Sequence, residues 1–210
     1  MKKKKKEKIN RGNSEHNGNN THSLILSIVA LLLSAISVFY AFKSFDLSRL
    51  QDEESKTAIW LGAYKDQEMT FSSSNNEIKM QKGYVLFPSQ LDSTIGYINP
   101  PEYSISMIPT ETALIDFVDQ MIERKEGHYL VTESYIPMVI QSSYVVAGEA
   151  RHIQSVYNVQ FTATLSEKEN AYKLPEIHIR GMWFDHHLNY QEDARIYLDK
   201  LWDELLQSTS

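Results

Sequence analysis

The chain has 210 residues, 42% of them hydrophobic and none of them cysteine, which excludes disulfides, zinc–thiolate sites, iron–sulfur clusters and cysteine nucleophiles. Its net charge of −6 is unevenly divided: residues 1–23 carry seven basic and two acidic side chains, and the remainder 14 basic and 25 acidic. A folded portion with a net charge of −11 repels phosphates, so nucleic acid is not expected as a partner.

Residues 1–23 read as a disordered basic tail, with Lys2 to Lys6 followed by a Gly/Asn-rich stretch up to Asn20. Leu24 to Phe42 follow without a charge, a proline or a glycine. At about 1.5 Å per residue these 19 residues reach roughly 28 Å, close to the ~30 Å hydrocarbon layer of a bilayer. Only a helix satisfies the backbone of such a segment in lipid. Ala35-Ile36-Ser37 resembles a signal-peptide cleavage site. The apolar run continues past it to Phe42, so a retained signal anchor is expected. Positive charge flanks the N-terminal side, whereas Lys43 and Arg49 are diluted by Asp46 and Asp52. The positive-inside rule then keeps the tail in the cytoplasm and places the rest outside it, as a single-pass protein of the cell membrane.

Within the helix, Ser27, Ala30, Ser34, Ser37 and Ala41 recur at spacings of three and four, forming a stripe of small residues. Such a stripe lets a second helix approach closely in lipid, so self-association or a partner membrane helix is expected there. Residues 43–56 continue as a polar stalk, and residues 57–210 form the soluble domain.

The domain opens with strand signals. Thr57 to Tyr64 surrounds Trp60, and Glu68–Ser72 and Glu77–Gln81 flank a Ser/Asn-rich turn that reads as a hairpin. Tyr84 to Phe87 is a short strand stopped by Pro88. Ile95–Ile98 and Tyr103–Ile108 bracket Pro100-Pro101. An amphipathic helix follows, capped by Thr110, with Leu114, Phe117, Val118, Met121 and Ile122 on one face and Gly127 as its stop. Ile136 to Ala147 and the residues after Gly148 read as a hairpin. In its second arm Ile153, Ser155, Tyr157, Val159, Phe161 and Ala163 alternate with His152, Gln154, Asn158, Gln160 and Thr162, which predicts one buried and one wet face. A further strand runs from Glu176 to Trp183 or Phe184. A last helix starts at a capping box formed by Asn189 and Glu192 and buries Ala194, Tyr197, Leu198, Leu201 and Leu205. This order predicts an α+β domain: a mainly antiparallel sheet or sandwich packed by two amphipathic helices.

Catalytic motifs are sparse. Asp185, His186 and His187 are the metal-ligand candidates, with His178 nearby. Neighbouring residues on a strand point to opposite faces, so His186 and His187 can share an ion only on a turn; a polar loop is the plainer expectation. His128, His152 and His178 are expected at the surface. No Gly-x-Ser-x-Gly elbow, Ser-x-x-Lys box or phosphate-binding glycine loop occurs, and no cofactor is expected. Tyr84, Tyr97, Tyr103, Tyr129, Tyr135, Tyr144, Tyr157, Tyr172, Tyr190 and Tyr197 supply amphipathic groups for the sheet or for a protein partner. The leading expectation is a non-enzymatic, membrane-anchored interaction or sensing module facing away from the cytoplasm. The alternatives are a membrane toxin or defence effector that oligomerises through its helix, and a hydrolase with dispersed catalytic residues.

Overall fold

Straight-chain and β-branched apolar residues without a breaker drive one long N-terminal helix, α1, from Asn17 to Ser55 in the computed structural model. The structure describes residues 17–167 and 173–209. Most of the tail therefore lies outside the described residues, but its last seven residues are helical, which corrects the expectation of disorder up to residue 23. The helix runs unbroken through residues 24–42 and the stalk. It is long and apolar enough to cross a membrane, and none of its apolar window is buried within the chain. Contacts divide the chain into Met1–Glu54 and Ser55–Ser210.

The second unit is α+β, and its strands pair antiparallel throughout. Trp60–Lys65 (β1), Glu68–Ser73 (β2) and Ser104–Ser106 (β5) form a three-stranded sheet in the order β1-β2-β5. Lys79–Leu86 (β3), Gly96–Ile98 (β4), Leu130–Val146 (β6), Glu149–Leu165 (β7) and Glu176–His187 (β8) form a five-stranded sheet in the order β4-β3-β6-β7-β8. The first hairpin differs from expectation. Asp66 and Gln67 take positive φ (51° and 64°) and join β1 to β2, the geometry of a tight two-residue hairpin turn. The Ser/Asn-rich stretch instead carries the chain from one sheet to the other, with Asn75 Oδ1 accepting the Glu77 N–H at 3.0 Å. Beyond it, β3 runs through Lys82-Gly83 with a register shift between Met80 and Lys82.

The longest pairing is β6–β7, seventeen rungs from Leu130↔Leu165 to Val146↔Glu149. Ala147 and Gly148 close it with φ of 50° and 81°, a conformation that glycine adopts at no steric cost. Pro137 lies beyond Val139, the last β6 residue paired to β3, so its missing N–H interrupts no β3–β6 rung.

One core cluster draws on both sheets, with Trp60, Met69, Ile105, Met138, Tyr157 and Ile179 among its members, and includes Leu114 and Val118 of helix α2 (Ile108–Met121). Gly62 of β1 passes so close to β8 that an added Cβ would stand 2.7 Å from Met182 Sδ. A second cluster lies on the other face of the large sheet, where Leu86, Val139 and Val156 meet Leu188, Ala194 and Leu198. Its last two members belong to helix α3 (Ala194–Thr209). The expected wet face of β7 is therefore covered: Gln154, Asn158 and Thr162 are buried.

Both helix starts differ from expectation. Thr110 lies inside the first turn of α2, buried and without a hydrogen-bond partner for Oγ1 among the described residues. The cap position is Met107, and Pro109 opens the helix where a missing N–H costs nothing. The helix ends at Met121 because Ile122 turns extended; Gly127 lies further on, with φ of 67°. At α3, Asp193 accepts the N–H groups of Arg195 and Ile196 at 2.9 and 3.1 Å, whereas Asn189 caps only the preceding turn.

Candidate functional site

Asp185, His186 and His187 lie at the end of β8 rather than in a loop. A register shift places His186 opposite Val156 and Phe184 opposite Tyr157, with Asp185 as the extra residue. His186 Nδ1 is 3.0 Å from Asp185 Oδ2, and its Nε2 is 3.2 Å from the Tyr197 hydroxyl of α3. His187 turns elsewhere, with Nδ1 2.9 Å from Ser155 Oγ and its ring 4.7 Å from that of Phe184. The structure thus joins Asp185 to His186 and separates both from His187. Among the described residues no three His, Asp or Glu side chains converge as metal ligands would.

Burial, and then Asp185, Glu192 and Glu204, push the Tyr197 phenol up, the reverse of an activated nucleophile. Ser155 and His187 hold the atoms of a nucleophile–base pair, but Ser155 is fully enclosed, so no substrate can reach its Oγ. Burial, and then His186, lower the pKa of His187 from its ordinary 6.5. The folded protein therefore binds fewer protons than the unfolded chain near that pH, and stability falls as pH drops below about 6.5 toward the lowered value. Thermal unfolding between pH 7.5 and 5 is expected to show this loss, and His187→Gln to flatten it.

The face of the large sheet that holds the second cluster also carries a different arrangement. Tyr97 pairs with Tyr84 across β4–β3, Tyr84 with Gln141, and Gln141 with Gln154. Side chains on directly opposed residues share a face, and here they form a relay. Tyr84 donates to Gln141 Oε1, Gln141 Nε2 donates to Gln154 Oε1, and Gln154 Nε2 donates to the Glu192 carbonyl at 3.2 Å. The next rung holds Lys82, Ser143 and His152, with Ser143 Oγ 2.8 Å from His152 Nδ1. Tyr190, in the loop before α3, brings its ring to 6.4 Å from that of His152. The result is a cleft of about 190 Å³, continued by a hollow that shares Tyr84, Gln141 and Tyr190. Burial, and then Tyr190 and Tyr97, raise the pKa of Tyr84, which keeps it a neutral hydrogen-bond donor. Tyr97 and Tyr190 stand 66% and 64% exposed.

The sequence names these tyrosines without distinguishing them from the packing ones, and it does not single out Gln141, Ser143 or Asn99, which also line the cleft. Tyr157 shows the contrast. It is fully buried, its hydroxyl accepts the Trp60 N–H at 3.0 Å, and burial pushes its pKa up to about 12.

A larger groove, about 530 Å³, lies between α2, β6 and the end of α3, lined by Phe117, Met121, Tyr135, Phe161 and Trp202 among others. In α1, the stripe residues Ser34 and Ser37 bond to the carbonyls of Ala30 and Leu33 at 2.8 Å, and Ser27 bonds to that of Ser23 at 2.9 Å. Their hydroxyls are thus satisfied inside the helix, and the stripe, with Ala30 and Ala41, presents small bulk rather than free donors.

Comparison of the chain with protein-family models, with curated proteins and with solved structures finds no match.

Proposed function

We propose that the chain is a single-pass membrane protein holding a non-enzymatic recognition domain outside the cytoplasm, with the tyrosine cleft as its contact site. The observation that carries this reading is the Lys/Arg imbalance about an apolar helix: seven basic residues before it against Lys43 and Arg49 in the dozen residues after it. In this reading the two sheets act as a sandwich-like frame packed by α2 and α3, which holds the cleft rigid. The inaccessibility of Ser155 and the raised pKa of Tyr197 support binding over turnover. A tag at Ser210 is expected to be removed by protease added to intact cells; a tag shielded until lysis overturns the outward placement.

A membrane effector that assembles through α1 is the second reading, favoured by the Ser27, Ala30, Ser34, Ser37 and Ala41 stripe. Because the serine hydroxyls are engaged within the helix, association would rest on close approach of the backbones. Ser27→Leu with Ser34→Leu is then expected to abolish the dimer trapped by cross-linking in membranes. An unchanged dimer would remove the stripe from the contact.

A further inference from the structure

We infer that the cleft takes an uncharged, hydroxyl-rich ligand, a neutral glycan; this rests on the reading of the cleft as the contact site and specifies its chemistry. Charge narrows the choice first. Among the described residues Lys82 is the one charged residue lining the cleft and no carboxylate lines it, so a cation would meet a like charge there and no counter-charge. An anion would have to approach a domain, residues 57–210, with 21 acidic side chains against 11 basic ones. In the adjoining hollow Asp193 caps α3, Arg195 binds the carbonyls of Phe87, Asp92, Ser93 and Thr94, and Glu192 adds a carboxylate that would repel an anion.

What remains is neutral hydrogen bonding beside exposed rings. Asn99, Gln141, Ser143 and His152 offer both donors and acceptors, matching the dual character of a sugar hydroxyl. The phenol rings of Tyr97 and Tyr190 present apolar faces edged by a polar tip, suited to the C–H face of a pyranose. The cleft also lies on the face of the sheet. There the backbone N–H and C=O groups of β3, β6 and β7 are engaged in rungs, so an extended peptide lying across these three strands finds no unpaired edge on them. A glycan needs only side chains. Gln154, buried and fixed by the Glu192 carbonyl, holds Gln141 and Tyr84 in one orientation, so the binding groups are set before the ligand arrives.

The test uses the full chain in nanodiscs, titrated calorimetrically with neutral tetrasaccharides (chitotetraose, cellotetraose, maltotetraose), with tetragalacturonate as the anionic comparison and an extended uncharged peptide as a third probe. Binding of at least one neutral sugar is expected. It should weaken about tenfold or more in Tyr97→Ala or Tyr190→Ala, equivalent to about 1.4 kcal/mol, and persist in Tyr97→Phe, which keeps the ring. Both positions are largely exposed, so the alanine variants should retain the parent melting temperature. The inference is overturned if no neutral sugar binds, if the variants leave binding unchanged, or if only the uronate or the peptide binds. Sidedness separates the two failures: an outward domain that binds no sugar removes the glycan alone, and a cytoplasmic domain removes the reading beneath it.

Discussion

Tyr157→Ala is expected to destabilise the domain by about 3–5 kcal/mol, and Tyr157→Phe by a smaller amount, about 1–3 kcal/mol. The two values separate two effects. Alanine empties the space of a fully buried ring that packs edge-on against Phe184 at 5.7 Å. Phenylalanine keeps the ring and deletes only the hydroxyl that accepts the Trp60 N–H, leaving that donor buried without its partner. Trp60 is itself 2% exposed, and its indole N–H donates to Ser142 Oγ at 3.0 Å, so this hydroxyl joins the small sheet to the large one. For a domain of this size, 3–5 kcal/mol corresponds to a melting temperature lower by roughly 6–20 °C. Thermal unfolding followed by near-UV circular dichroism checks it. Equal losses for both variants would mean that the hydrogen bond, rather than the ring, carries the effect.

Arg195→Ala is expected to cost about 1.5–3 kcal/mol, the range for hydrogen bonds to a charged group, and to loosen residues 88–95 specifically. The guanidinium gathers the Phe87, Asp92, Ser93 and Thr94 carbonyls onto the first turn of α3, the Asp92 bond being 2.8 Å. Asp199, one turn on, adds a second tie by accepting from Ser89 N–H and Oγ at 2.6 and 2.9 Å. Lysine should restore little, because a single ammonium cannot span four oxygens with a planar fork. Hydrogen exchange should rise across residues 88–95 in the variant; uniform protection there would show that Asp199 alone holds the segment. Since β4 and Tyr97 follow this loop directly, the same variant should also weaken any ligand held by the cleft.

The class of fold is legible in the sequence because its signals are local. The apolar run of residues 24–42, the alternation about Tyr157 and the glycine at 148 each act over a few residues. Expectation and structure part where the deciding partner is distant. The Ser/Asn-rich stretch resembles a hairpin turn, but Asp66 and Gln67 take that role, two residues whose positive φ no glycine announces. Val156 interrupts the polar file of β7, and only the arrival of Leu198 explains why Gln154 and Asn158 beside it are buried. The last strand reaches His187 because β7 extends alongside it, which moves Asp185 and His186 from a loop into the sheet. The cleft was partly within reach. Once Ala147 and Gly148 are placed as a two-residue turn, Gln141 must oppose Gln154 and Ser143 must oppose His152. That rule does not supply Tyr84 or Tyr190, which come from elsewhere in the chain.

The seventeen rungs of β6 and β7 share one centre of reflection at Ala147–Gly148, without a slip. Such a ribbon can grow from its tip, each new rung forming beside one already made, so the entropy of closing loops is incurred in small increments rather than at once. The three-stranded sheet has such a route only for its β1–β2 hairpin, because in β2–β5 Thr70 must find Ser104 across the intervening chain. During synthesis the ribbon can therefore form first and serve as the template on which β3 and β8, arriving from either side of it in sequence, are laid down.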